Sequence, residues 1–389
     1  MNNDLAGRYL GLDLAHPIIA SASPLTATFD GMRRLEDAGA AAVVMASLFE
    51  EQVRAEDTRY ATVTEYTADS NSEAATYFPE LPDYRYGVSG HIETLRRAAE
   101  ALDIPVIGSL NGTSDDGWLD YAVALEQAGA AALELNLYLL PVDLAVSGSD
   151  IERRYLDIVR HVKGKVRIPV SVKLAPFLSS TGNFVARLQS IGADGVVLFN
   201  RFFRPDLDLE TLSVTREVAL STPADIHLPL TWVALLSRRL ELSLAAGTGV
   251  DSHVEVIKFL FAGADVVTTT SALLRHGPEH MTALVDGLDR WLSENGFASV
   301  SEIRGSLDST HVDRADKFLR TQYLRTLSDY ATHHHPVATD GRASPSNTRA
   351  LTPDRLRIGA VGQSVRSGIM AQARSNPGKV VHAIFADAA

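Results

Sequence analysis

Short apolar runs alternate with amphipathic stretches along this chain, and the joint between them recurs four times. Ala38-Gly39-Ala40 precedes AAVVMAS, Ala128-Gly129-Ala130 precedes AALELNL, Ile191-Gly192-Ala193 precedes DGVVLFN, and Ala262-Gly263-Ala264 precedes DVVTTTS. A glycine just past an amphipathic stretch supplies the left-handed residue that closes a helix, and a short apolar run without strict alternation suits a strand buried on both faces. Two further strands open on Ile-Pro-Val, at Ile104 and Ile168, where proline fits because the first residue of a strand need not donate to the ladder. With Pro17-Ile18-Ile19-Ala20 and residues 241–246 the candidate strands number eight, separated by helical patterns at about 28–38, 91–102, 115–128, 150–163, 178–191, 229–238, 252–262 and 277–295. A terminal pair is predicted near 299–304 and 312–329.

Eight βα units predict an α/β fold of the TIM (β/α)8 barrel class, closed and parallel, rather than a doubly wound sheet. The latter normally opens on a Gly-rich dinucleotide loop, and none stands in the first hundred residues. Residues 1–330 form the barrel in this reading. A long insertion, 48–90, follows the second strand and falls on the face where such barrels carry their chemistry. Residues 331–356, polar and rich in Pro and Ser, are predicted to be a disordered linker. His333, His334 and His335 within it lack the fixed geometry that a metal site needs.

Composition changes the picture in three ways. Lys and Arg number 36 against 48 Asp and Glu, a net charge of −12, which argues against nucleic acid as a partner. No run of about eighteen apolar residues is present, and the first residues lack a basic segment followed by an apolar one. A cytoplasmic protein with no membrane partner is expected. Cysteine is absent, which excludes disulfides, thiolate metal sites and a catalytic thiol.

In a barrel of this class the chemistry sits at the C-terminal ends of the strands. Those positions are Ser21 to Ser23, Ser47, Ser109 to Gly112, Asn136, Lys173, Asn200, Gly247 to Gly249, and Thr270-Ser271. Most are small and polar, as ordinary turns also are. Lys173 differs, because an ammonium embedded in the apolar strand PVSVKLAP is costly unless it meets an anion or a polar ligand. Contact with a ligand explains it better than a structural ion pair does. Gly247-Thr248-Gly249 and Thr270-Ser271 end the seventh and eighth strands, where barrels commonly hold a phosphate on exposed backbone N–H groups. A phosphorylated ligand or cofactor is therefore expected.

These residues resemble the dihydroorotate dehydrogenase superfamily of FMN-binding barrels. The similarity covers about residues 5–330 and is carried by Pro17 to Ser21, Glu134-Leu135-Asn136-Leu137, Val172 to Pro176, Val197 to Asn200, and GTGV…FLFAGAD…SALLRHG. SLNGTSDDGWLDYA, LFNRFFRPDLDLETL and LRHGP are closest to the branch called dihydroorotate dehydrogenase-like proteins. The resemblance implies an FMN-dependent oxidoreductase acting on CH–CH donors, in a family tied to pyrimidine metabolism. Ser21, Ala22, Ser47 and Asn111 would line the flavin, Lys173 would approach its N1/O2 side, and Asn136 and Asn200 would border flavin and substrate. Gly247, Thr248, Gly249, Thr270 and Ser271 would hold the phosphate. A small-molecule substrate and an electron acceptor or redox protein, neither identified, are the implied partners, with a homodimer as one reading of assembly.

The departures matter as much. Family members carry a Cys or Ser base in the loop after the fourth strand, and this register reads Tyr138-Leu139-Leu140-Pro141. Leu139 cannot take a proton. The family's lysine at the end of the second strand falls on Ala46, and its Asn-rich substrate loop is replaced by Tyr77 to Asp83. Dihydroorotate is thus not the expected substrate, since sites built on buried polar partners do not tolerate such exchange. Tyr138, Ser147 and Ser149 are candidate acids or bases, weighed against plain packing or solvated roles. Arg201 and Arg204 are candidate clamps for an anionic substrate, weighed against pairing with Asp206 or Asp208. Two alternatives stay open: a flavin-binding redox partner without dehydrogenase activity, and a phosphate-binding aldolase or isomerase that uses Lys173. The tail, 357–389, resembles the first β-α-β of a Gfo/Idh/MocA-type NAD(P)-binding domain, but it is too short to bury a core by itself.

Overall fold

Gly39, Gly129, Gly192 and Gly263, the glycines of the four predicted joints, all adopt positive φ, between 90° and 106°. At each joint two backbone bonds close the helix in the same way. Gly39 N–H reaches Glu36 O and Ala40 N–H reaches Leu35 O, and the pattern repeats at Gly129, Gly192 and Gly263. This is the Schellman closure, and only a residue without a Cβ enters it cheaply. The computed structural model describes residues 3–50, 88–112, 118–139, 143–201, 206–210, 213–214, 219–309 and 320–328.

The strands are β1 Gly7–Tyr9, β2 Leu12–Leu14, β3 Ile18–Ala20, β4 Val43–Val44, β5 Leu48–Phe49, β6 Val106–Asn111, β7 Ala132–Leu137, β8 Val170–Leu174, β9 Gly195–Leu198, β10 Leu207–Asp208, β11 Ser213–Val214, β12 Ser243–Ala246 and β13 Val266–Thr269. The helices are α1 Phe29–Asp37, α2 Val88–Ala101, α3 Trp118–Gln127, α4 Gly148–Lys163, α5 Thr181–Ser190, α6 His227–Leu236, α7 His253–Ala262, α8 Ser271–His276, α9 His280–Asn295 and α10 Val300–Ile303. Eight strands, β3, β4, β6, β7, β8, β9, β12 and β13, pair in parallel, and β4 bonds to both β3 and β6, so the sheet closes on itself. The fold is the predicted TIM barrel.

A second recurrent device sets where strands begin. Glu36 accepts the N–H groups of Asp103 and Ile104, and Glu126 accepts those of Arg167 and Ile168. Each carboxylate stands three residues before a joint glycine and satisfies the chain entering an Ile-Pro-Val strand, whose proline cannot donate. Asp194 and Asp265 do the same for Val170 and Leu244.

Three features differ from the sequence expectation. Residues 7–14 form an antiparallel hairpin, β1–β2, turned by Leu10 and Gly11 at positive φ. It plugs the N-terminal end of the barrel: Tyr9, Leu10 and Leu14 pack with Ile19, Val44, Ile107, Val197, Ala245 and Val266. Gly195 leaves room for the plug, since a Cβ would lie 2.7 Å from Leu10 Cδ2 and 3.0 Å from Ser243 O. The predicted strand 41–47 stops at Val44, and pairing resumes in β5, where Leu48 and Phe49 face Leu110 and Asn111. The predicted helix 277–295 is preceded by a separate one, α8, because Gly277 at φ 91° and Pro278 interrupt the pattern.

Contacts divide the chain into two units, 1–308 and 309–389. In the second, residues 320–328 are helical. The body of the predicted insertion at 51–87, the predicted linker at 331–356, the fragment at 357–389 and Arg204 lie outside the described residues. Among the described residues no helix is long and apolar enough to cross a membrane.

Candidate active site

Strand register builds the site. Asn111, Asn136 and Lys173 are direct neighbours across β6, β7 and β8, and two residues earlier Ser109, Glu134 and Ser171 form a second row. Because side chains alternate along a strand, both rows project to the same side, one above the other. Tyr9, next to Ser171 and Glu134, marks that side as the barrel interior. All six residues are buried, so the upper interior is polar while the lower interior around the hairpin plug is apolar.

The first cluster surrounds Lys173. Its Nζ donates to Ser21 Oγ at 3.0 Å and to Glu134 Oε1 at 3.2 Å. Side-chain exposure is 10% for Lys173 and 2% for Glu134, which makes this a buried ion pair. The sequence reading favoured a ligand over a structural ion pair, and the structure shows the ion pair, with Lys173 standing at the C-terminal end of β8. Beneath it, the Tyr9 phenol is pushed well above the usual tyrosine range, first by burial and then by the Glu134 charge, against a hydrogen bond with Ser171. The Ser171 hydroxyl proton goes to Leu133 O.

The second cluster joins Asn200, just past β9, to β7: its Nδ2 donates to Asn136 Oδ1 at 2.9 Å. Ser47 and Ser109 hydroxyls lie 2.8 Å apart, joining the segment before β5 to β6. Ser21 N–H bonds to Thr269 O, and Ala22 packs half-buried beside the core.

The third cluster lies at the ends of β12 and β13. Thr248 stands at φ 76°, unusual for a residue with a Cβ, and its Oγ1 is tied to Phe199 O at 3.0 Å. Gly249 follows at φ 79°, where a Cβ would lie 2.8 Å from Ile226 N and 2.9 Å from Thr222 O. At Gly247 it would meet Thr268 Oγ1 at 2.5 Å. Small residues are thus required by the approach of the 222–226 segment and of Thr268. Ser221 ties the turns together: its Oγ donates to Ser271 Oγ and accepts Gly249 N–H, and its own N–H donates to Ser271 Oγ. Thr270 precedes Ser271 without capping α8 through its side chain.

Other candidates stand apart. Arg201 donates to Ala219 O, two residues before Ser221. Tyr138 is half-buried just past β7. At the neighbouring Leu139, the backbone N–H is held by Tyr155 Oη at 3.0 Å, and burial pushes the Tyr155 phenol upward. Ser147 is the N-cap of α4 in a reciprocal box with Asp150, and Ser149 bonds to it. Both serines therefore serve the helix end.

Glu134, Ser221 and Tyr155 are partners the sequence reading did not single out. A signal for Glu134 is present: Ser109/Asn111, Glu134/Asn136 and Ser171/Lys173 are polar pairs two residues apart in otherwise apolar strands. Ser221 and Tyr155 reach the site from outside the strand ends and leave no local mark.

A closed parallel barrel with a polar upper interior and tied turns after its last two strands belongs with barrels that bind small ligands at the C-terminal face. No family model matches the chain. A dihydroorotate dehydrogenase B (NAD(+)) catalytic subunit of Bacillus mycoides (strain KBAB4) is 28% identical over 212 residues, 53% of this chain and 68% of the relative. Its counterpart in Endomicrobium trichonymphae is 26% identical over 226 residues, covering 57% and 73%. Fold and relatives together fit the dihydroorotate dehydrogenase superfamily.

Proposed function

We propose that the chain is an FMN-dependent oxidoreductase acting on a small anionic or heterocyclic substrate other than dihydroorotate. The observation that carries this reading is the coincidence, at one end of the barrel, of a buried ammonium, paired amides and a hydroxyl-tied turn. On this reading Lys173 would face the electron-rich edge of the FMN ring, Asn136 and Asn200 would border ring and substrate, and the Gly247–Gly249 and Thr270–Ser271 turns would hold the phosphate. Gly247 N–H and Gly249 N–H are donated within the protein, to Leu198 O and Ser221 Oγ. When bound, FMN would supply two-electron chemistry with a substrate carbon.

The chain's own residues do the rest. Lys173, paired with the Glu134 carboxylate, offers an oriented ammonium donor inside a water-poor interior, where such interactions count for more than in solvent. Asn200 and Asn136 hold each other in place, so neither amide needs to reorganise when a ligand arrives. Ser221 fixes the two turns relative to one another.

Leu139 argues against dihydroorotate. It stands in the register of the family's base, carries no proton acceptor, and has its backbone pinned by Tyr155. Arg201 and Arg204, in the segment after β9, are the proposed anion contacts. An unidentified acceptor or redox protein would complete the electron balance.

Absorbance and thermal shift with added FMN test the proposal. A protein that shows flavin bands or is stabilised by FMN supports it. A colourless protein that ignores FMN overturns it, and a borohydride-trapped adduct on Lys173 would redirect it to a lysine-dependent aldolase.

A further inference from the structure

The carboxylate of Glu134 is almost wholly buried. It is 2% exposed, lies one row below Asn136 in the barrel interior, and is bounded above by Lys173 and below by the Tyr9 phenol of the hairpin plug. A buried ammonium facing a bound ligand would carry a net charge of plus one, whereas the Lys173–Glu134 pair carries none. The carboxylate therefore has two effects on the mouth of the barrel. It holds the lysine stem in one position, together with Ser21, and it cancels at short range the field that Lys173 would otherwise present.

We infer that Glu134 is a positioning residue that sets, through Lys173, the reduction potential of a flavin bound at this end of the barrel. The inference rests on the FMN reading above. Two-electron reduction makes a flavin more anionic, so a site of net positive charge favours the reduced form and a neutral pair favours it less. Glu134 thus keeps the bound flavin a stronger reductant than Lys173 alone would allow. That suits a protein whose electrons must pass onward to an acceptor.

The full-length protein, Glu134→Gln, Glu134→Asp and the double variant Glu134→Gln/Lys173→Met decide the matter. Dye-equilibrated titration of the FMN-loaded forms gives the midpoint potential. Glu134→Gln should move it to more positive values, by the equivalent of about a tenfold gain in reduced-over-oxidised affinity, or about 30 mV for a two-electron couple. Glu134→Asp, which keeps the charge, should stay close to the parent. A purely structural role would lower stability in both single variants without separating their potentials, and an unchanged or more negative potential in Glu134→Gln overturns the inference.

Flavin-free protein provides the second arm. Glu134→Gln should be less stable to urea than Glu134→Gln/Lys173→Met, because the single change strands a buried ammonium and the double change removes it. Equal stabilities would mean that the pair is not coupled, which also overturns the inference, even if Glu134→Gln were too unstable to load. A parent protein that takes up no FMN sinks the functional reading and the tuning role together. The urea comparison then still reports separately on the pairing.

Discussion

Ser221 Oγ donates to Ser271 Oγ at 2.9 Å and accepts Gly249 N–H at 3.2 Å, so one buried hydroxyl couples the turns that follow β12 and β13. Those turns are the proposed phosphate cradle, while the flavin ring would lie toward Lys173 and Asn136. Ser221→Ala should therefore weaken FMN more than riboflavin, which lacks the phosphate. A lost hydrogen bond is worth about 0.5–1.5 kcal/mol, or roughly two- to twelvefold in affinity. Calorimetric titration of both ligands checks this, and equal weakening of the two would detach Ser221 from the phosphate.

The Asn200–Asn136 bond yields a prediction about stability. Asn136 is 8% exposed, and its Oδ1 accepts the Asn200 amide. Asn200→Ala leaves that acceptor without this donor in a buried place, which costs about 1–3 kcal/mol. Urea unfolding of the single variants and of the double variant should give non-additive losses. Strict additivity would show that the two amides act independently.

The barrel was legible because its units repeat. A helix-closing glycine before each of four apolar runs, and Ile-Pro-Val at two more, are local signals with one backbone solution each, and all four glycines adopt it. The hairpin plug was not legible: Gly7 to Leu14 is too short to show a period, and its role comes from long-range packing of Tyr9 and Leu10. The candidate site was readable where polar side chains stand at strand ends, as at Lys173, Asn136 and Asn200. It was not readable where a partner arrives from another element, as with Ser221 on the segment before α6 or Tyr155 on α4. Glu134 falls between these cases. Its spacing from Asn136 was visible, but only the register across β7 and β8 brings it to Lys173.

On the proposed function, the loop after β7 should bear on substrate choice. With leucine at 139 and the Leu139 N–H fixed by Tyr155, dihydroorotate should reduce the bound flavin at least about 10²-fold more slowly than an enzyme with a placed base, which commonly contributes 10²–10⁴-fold. Leu139→Cys alone should restore little, because Ala46 and the 77–83 segment also depart from the family pattern. Stopped-flow reduction under anaerobic conditions measures both. Rapid bleaching of the unmodified protein by dihydroorotate would defeat this account of the loop.

The pH dependence of stability should be set in good part by His16, which is buried, and His91, which is half-buried. His16 Nε2 donates to Gly39 O at 2.7 Å, and Nδ1 accepts Ile18 N–H at 3.2 Å, so protonation at Nδ1 would break the second bond. Burial lowers its pKa, against the Gly39 contact, which raises it. His91, on the stripe of α2 that carries Leu95 and Ala98, has an Nε2 with no hydrogen-bond partner among the described residues, and burial pulls its pKa from 6.5 down to about 4. A depressed folded value means that the unfolded chain binds protons first. The stability each histidine contributes is therefore present above 6.5 and lost as pH falls toward the folded value, for His91 a window from 6.5 to about 4. The loss from His91 is on the order of 3 kcal/mol, at about 1.4 kcal/mol per pH unit. Asp265 works in the opposite sense. Burial raises its pKa above 3.8, against the Leu244 N–H and Arg304, so its contribution grows as pH falls through the raised value and offsets part of the histidine loss. Asp150 and Glu279, both lowered, lose their contributions only in more acidic solution. His91→Leu keeps the apolar surroundings filled and removes the titrating ring. Urea unfolding at pH 7.5 and 4.5 should show a clear fall for the parent and a smaller one for His91→Leu. The same fall in both proteins would mean that His91 is not the group being protonated.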